Sequence, residues 1–87
     1  MATVFIPTQL TELTEGTRQI QLEGQTVAQL LDQLELRFPG VKARLCEGDQ
    51  LMPGLQVSID HVMTSRGLAT KVSPHSEVHF LPAIGGG

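Results

Sequence analysis

Apolar positions along this chain change period twice, and each change predicts an element. "TVFIP" at 3–7 is a short β-favouring run that Pro7 closes. "RQIQLEG" at 18–24 alternates, with Ile20 and Leu22 facing inward and Gln19 and Gln21 outward. Between them "TQLTELTEGT" is polar and contains Gly16, so the pair reads as a hairpin with a broad connection. In "TVAQLLDQLELRFPG" the period becomes helical: Val27, Leu30, Leu31, Leu34 and Phe38 form one apolar stripe. Thr26 and Gln29 have the spacing of a capping box, which satisfies orphan N–H groups at a helix start. Pro39 disfavours helical geometry at Phe38 and Gly40 completes the stop, so the helix is predicted to end near Arg37.

"VKARLCEGD" predicts a further helical turn or two, and "CEGDQLMPG" a loop. "LQVSID" alternates again, placing Leu55, Val57 and Ile59 on one face. "HVMTSRGLATKV" predicts short strand pieces around a turn at Arg66–Gly67. Pro74 suits a turn leading into a last strand, "EVHFLP". There Val78 and Phe80 face the core, and His79 and Leu81 face the other way. A hairpin, a helix and further strands imply a right-handed crossover with helices on one face of a sheet. The expected class is α+β, with a four- or five-stranded mixed sheet gripping one main helix. That is the β-grasp, or ubiquitin-like, arrangement. The domain is expected over 1–82, with a flexible C-terminal tail at 83–87.

Composition narrows the function. A chain of 87 residues makes one small domain, which buries only about 60% of its unfolded surface. Apolar residues make up 40% of it, enough to argue against disorder. Nine acidic residues outnumber six basic ones, and three Phe are the only aromatics. That balance gives no basis for nucleic-acid binding. "MATVFIPTQL" has no basic n-region and its apolar run breaks at Pro7, so neither a signal peptide nor a membrane span is expected. Cys46, the single cysteine, forms no internal disulfide, and a small domain without bridges fits the cytoplasm.

Few side chains suggest chemistry. Cys46 lacks a neighbouring His or second Cys to activate it, so it reads as a small hydrophobe. His75 and His79 are four apart, but in an extended segment that separation is some 13 Å at roughly 3.3 Å per residue. No metal site is expected from them or from His61. Glu47 and Asp49 flank Gly48 without an acid–base partner and read as solvated loop charge. Nothing resembles a nucleophile triad, a phosphate loop or a dinucleotide fingerprint, so the chain is not expected to be an enzyme.

The C-terminal "LPAIGGG" is the exception. A bare glycine end is ordinarily a disordered terminus. Here it follows a strand, a proline that removes an N–H from the ladder, and one apolar residue, Ile84. From Pro82 to Gly87 the chain can extend on the order of 17 Å at 3.3–3.6 Å per residue.

"IPTQLTELTEG", "TVAQLLDQLELRFPG", "RL" at 44–45, "GLATKV" and above all "VHFLPAIGGG" resemble the bacterial MoaD/ThiS-type sulfur carriers, especially the MoaD-like, CysO-type branch. The resemblance touches most of the chain and implies a ubiquitin-like fold. It also implies a sulfur carrier that serves partner enzymes as a protein co-substrate. In such a carrier Gly87 would be adenylated and then converted to a thiocarboxylate, whose sulfur goes into a sulfur-containing metabolite or cofactor. Pro82, Ala83, Ile84, Gly85 and Gly86 would enter a partner's active site, and Leu81 and Phe80 would dock the partner. The implied partners are an E1-like adenylyltransferase of the MoeB/ThiF type, a sulfur-accepting synthase, and a protease for chains made with extra C-terminal residues. No cofactor is bound; ATP belongs to the activating enzyme. The alternative is a ubiquitin-like modifier joined to lysines through the same glycine. The sequence departs from the family at His75–Ser76, where Gly-Asp is common, at Ser58, where Asn is frequent, and in ending on three glycines rather than two.

Overall fold

The computed structural model describes residues 1–82, with Pro82 described at the backbone. Strand β1 (Ala2–Phe5) pairs antiparallel with β2 (Gln19–Leu22). Helix α1 (Val27–Arg37) and the short α2 (Val41–Leu45) follow. Two-residue strands β3 (Cys46–Glu47) and β4 (Gln50–Leu51) pair with each other. The chain then makes β5 (Leu55–Ile59), β6 (Val62–Thr64) and β7 (Glu77–Pro82). The main sheet has five strands in the order β2-β1-β7-β5-β6. Its β1/β7 pairing is parallel and the others antiparallel. This is the mixed sheet and single main helix that the hydrophobic pattern predicts.

The core lies between α1 and the inner face of the sheet. Val27, Leu30, Leu31 and Leu34 are fully buried. They belong to one cluster with Val4, Val57, Val78 and Phe80. The helix begins at the expected cap: Thr26 accepts from the Gln29 N–H at 3.2 Å. The return bond lands one residue early, with the Gln25 N–H donating to Gln29 Oε1 at 2.8 Å. The cap backbone is also tied to the segment before β7, because the Val27 N–H donates to the Thr70 carbonyl and the Val72 N–H to that of Gln25. Gly40, at φ +103°, makes the left-handed turn that separates the two helices. Glu35 caps α2 from outside, accepting the N–H groups of Gly40 at 2.9 Å and Lys42 at 3.0 Å.

Three details differ from the pattern-based expectation. The β1–β2 connection is more than polar loop: Thr8–Leu10 forms a 3-10 turn whose Leu10 is buried. Thr14 is also fully buried there, its hydroxyl within bonding distance of the Thr11 and Thr17 carbonyls. The expected loop after α2 contains the β3–β4 hairpin. The turn joining β5 to β6 is Asp60–His61, both at positive φ, the geometry a two-residue hairpin requires.

Candidate functional site

Strand β7 positions the end of the chain. It lies at the centre of the sheet, so its backbone is paired on both sides. Alternation sends Val78 and Phe80 to the inner face and Glu77, His79 and Leu81 to the outer one. The last pairing of the ladder is Leu55 with Pro82, preceded by Gln56 with Leu81. Leu81 is 40% exposed one residue before this last pair, as the alternation of the strand predicts. Phe80, grouped with it in that role, is 6% exposed and belongs to the core. Alternation delivers only one of two adjacent strand residues to the outer surface, so Phe80 supports that surface from beneath. Ala83, Ile84, Gly85, Gly86 and Gly87 lie outside the described residues.

The outer face carries more apolar surface than Leu81 alone. Phe5, His79, Ser58 and Met63 form one cross-strand row across β1, β7, β5 and β6. The Phe5 and His79 rings stack at 4.1 Å with planes 9° apart. Met63 is 47% exposed. His61 leans toward His79 at 5.7 Å between centroids and comes within 3.6 Å of Glu77. Among the described residues His79 Nδ1 is buried without a hydrogen-bond partner.

A second feature opens at the root of the tail. A groove of about 520 Å³ runs between the end of β1, α2, the loop before β5 and the end of β7. Ile6, Leu10, Leu45, Met52, Leu55 and Phe80 contribute apolar wall. Arg44 is the one fixed charge among the described lining residues, none of which is a carboxylate. Sequence reading missed this groove, because its walls come from four separated segments. The one hint was Leu10, which with Leu13 is apolar in an otherwise polar connection.

The remaining candidates fall where their chemistry is inert. Cys46 is buried beside α2 and burial pushes its thiol pKa up, disfavouring the nucleophilic thiolate. His75 lies in a turn and His79 in β7. Among the described residues no group of three His, Cys, Asp or Glu is placed to hold a metal. Glu47 and Asp49 are exposed. Lys42, the basic residue at the start of α2, pairs with Asp32, and that partner raises its pKa. No helix among the described residues is long and apolar enough to cross a membrane.

Comparison with known proteins agrees with the fold. The chain is 34% identical to the sulfur carrier protein CysO of Mycobacterium tuberculosis, with 98% of this chain and 97% of that one covered. It superposes with a TM-score of 0.89 on a structure of the Amycolatopsis orientalis BexX/CysO complex, at 34% identity and with both chains fully covered. The small archaeal modifier protein 1 of Methanosarcina acetivorans matches at a TM-score of 0.76 and 25% identity, with 99% and 95% covered. The pattern of the ThiS family matches residues 4–87, from the first strand to the last glycine. The chain belongs to the ThiS family of ubiquitin-like proteins.

Proposed function

We propose that this protein is a sulfur carrier, a protein co-substrate that bears sulfur on the carboxyl end of Gly87. The observation that carries this reading is the near-full-length match to a curated sulfur carrier, within a family pattern that continues through the terminal glycines. A carboxylate is a poor electrophile at neutral pH, and the chain's task is to present it. Its oxygen attacks the α-phosphorus of ATP in the active site of an E1-like adenylyltransferase of the MoeB/ThiF type, and pyrophosphate leaves. A hydrosulfide-level sulfur donor then attacks the acyl carbon of the mixed anhydride and AMP departs, leaving a thiocarboxylate. A synthase that accepts the sulfur discharges it and regenerates the carboxylate.

This chain's residues serve that cycle by placement. Glycines leave the acyl carbon unobstructed and give the backbone the φ freedom to thread a narrow site. Pro82 ends the ladder, and five residues beyond it reach about 17 Å when extended. Leu81 and the outer sheet face, with Phe5 and Met63, form the docking patch on which the partner sits. Three glycines set the reactive carbon one residue further out than two do, roughly 3.3–3.6 Å. The pairing of CysO with BexX in the A. orientalis complex supports a protein partner here.

The test is the intact mass after incubation with ATP, an adenylyltransferase of this type and a sulfide source. A gain equal to exchange of one oxygen for sulfur, mapped to Gly87, is the expected result. An unchanged mass, with the enzyme active on another carrier, refutes it for that enzyme. The likeness to an archaeal modifier favours a second reading, in which the activated glycine acylates a lysine amine. An adduct heavier by a whole protein chain, joined through an isopeptide bond, identifies that outcome.

A further inference from the structure

The groove at the root of the tail has no occupant among the described residues, and its chemistry is specific. Its walls are mostly apolar, and Arg44 adds one fixed positive charge. Such a site suits a short apolar chain that ends in a single negative charge. We propose that this occupant is the chain's own tail: Ile84 seats against Leu10, Leu45 and Leu55, and the Gly87 carboxylate pairs with Arg44.

Connectivity, reach and charge agree. The tail departs at the mouth of the groove, since Leu55, the partner of Pro82 in the ladder, lines it, as does Leu81. Five extended residues span about 17 Å, more than the roughly 10 Å diameter of a sphere of 520 Å³. Slack therefore remains for the turn back toward α2, which three glycines accommodate. Arg44 is exposed and makes no ion pair among the described residues, unlike Lys42, which Asp32 holds. A short tether presents the carboxylate at an effective concentration in the millimolar range. Other occupants lack one of these arguments: neither a second copy's tail nor an unattached apolar carboxylate has such a tether.

Parking has a consequence that rests on the sulfur-carrier reading. The anionic terminus, as carboxylate or thiocarboxylate, would be held on the carrier until a partner withdraws it. Only the unparked fraction could then enter an active site, and apparent affinity falls by that fraction. The parked state itself needs no sulfur chemistry, so it can be tested on the free protein.

Amide spectra of the full chain, a chain ending at Pro82, and Arg44→Gln decide it. Truncation should shift the amides of Gln9, Leu10, Arg44, Leu45 and Leu55, and leave Val62 and Met63 on the far edge unmoved. Ile84 methyls should show NOEs to Leu10 and Leu45 side chains, and Arg44→Gln should lower the heteronuclear NOEs of Gly86 and Gly87. All of this should persist on tenfold dilution. Changes confined to Phe80 and Leu81, with near-zero heteronuclear NOEs over 83–87, overturn the proposal. So does a signal lost on dilution, which assigns the groove to a second copy. Arg44 is exposed and Pro82 closes the ladder, so both variants should fold; a spectrum dispersed like that of the full chain verifies it.

Discussion

Leu81 and Phe80 are neighbours with opposite assignments, and substituting each by alanine tests the site directly. Fully burying a leucine side chain is worth about 1.5–3 kcal/mol. Leu81 keeps 40% of its surface exposed, so docking can gain about 0.6–1.2 kcal/mol from it. That range corresponds to roughly 3- to 8-fold in affinity. Leu81→Ala should therefore raise the KM for charging by that factor and leave the limiting rate unchanged, because the reactive end is intact. Its effect on folding should stay near about 1 kcal/mol. Phe80 is 6% exposed, and Phe80→Ala should cost about 3–5 kcal/mol of stability. The control is Leu36, 77% exposed on α1 and outside both the outer sheet face and the groove, whose alanine variant should charge like the parent. Initial rates across carrier concentrations, at a temperature where urea melts show every variant folded, supply the comparison. The docking assignment fails if Leu81→Ala charges normally, or if Leu36→Ala is impaired to the same degree.

Three further outcomes follow from the same structure. Deleting Gly87 should impair charging and deleting Gly85 to Gly87 should abolish it, with stability changed by less than about 1 kcal/mol, since at most one surface ion pair is lost; melts and intact-mass assays check both. Leu34→Ala removes a fully buried side chain facing the sheet and should cost about 2–5 kcal/mol, lowering Tm by roughly 4–8 °C for each kcal/mol. The N–H groups of Gly40 and then Lys42 hold the Glu35 pKa below its ordinary value of 4.5. Its contribution is therefore fully present above pH 4.5 and lost as pH falls through the lower folded value. Glu35→Gln should flatten that arm of the stability profile, and an unchanged acid arm in urea melts between pH 5 and 2 contradicts the cap.

Much of this fold was legible because burial follows period. Alternation in "RQIQLEG", "LQVSID" and "EVHFLP" assigned Leu22, Val57, Val78 and Phe80 to the core, and all four are buried. The helix stripe and its stop agree with α1 because local capping and tertiary packing favour the same residues there. Legibility failed where a few residues act through distant partners. Thr14 looks like loop polarity, yet its hydroxyl is satisfied by two local carbonyls and it is fully buried. The β3–β4 hairpin is two residues per strand, too short for alternation to register. The candidate site divided the same way. Leu81 followed from strand parity alone, while the groove with Arg44 needed four segments brought together.

The position of β7 suits the role proposed above, in which the protein works through its last residue. A terminal strand at a sheet edge can peel away one ladder bond at a time under a pull on the tail. Here β7 is central, bonded in parallel to β1 and antiparallel to β5. Drawing the terminus into a partner must break both ladders to loosen its root. The inner face of the strand is held as well, because Val78 and Phe80 are packed with the core. Only the outer face is open to a partner following the tail inward, and that face presents Leu81. Anchoring and presentation are thus opposite faces of one strand, and the alternation that buries Phe80 is what exposes Leu81.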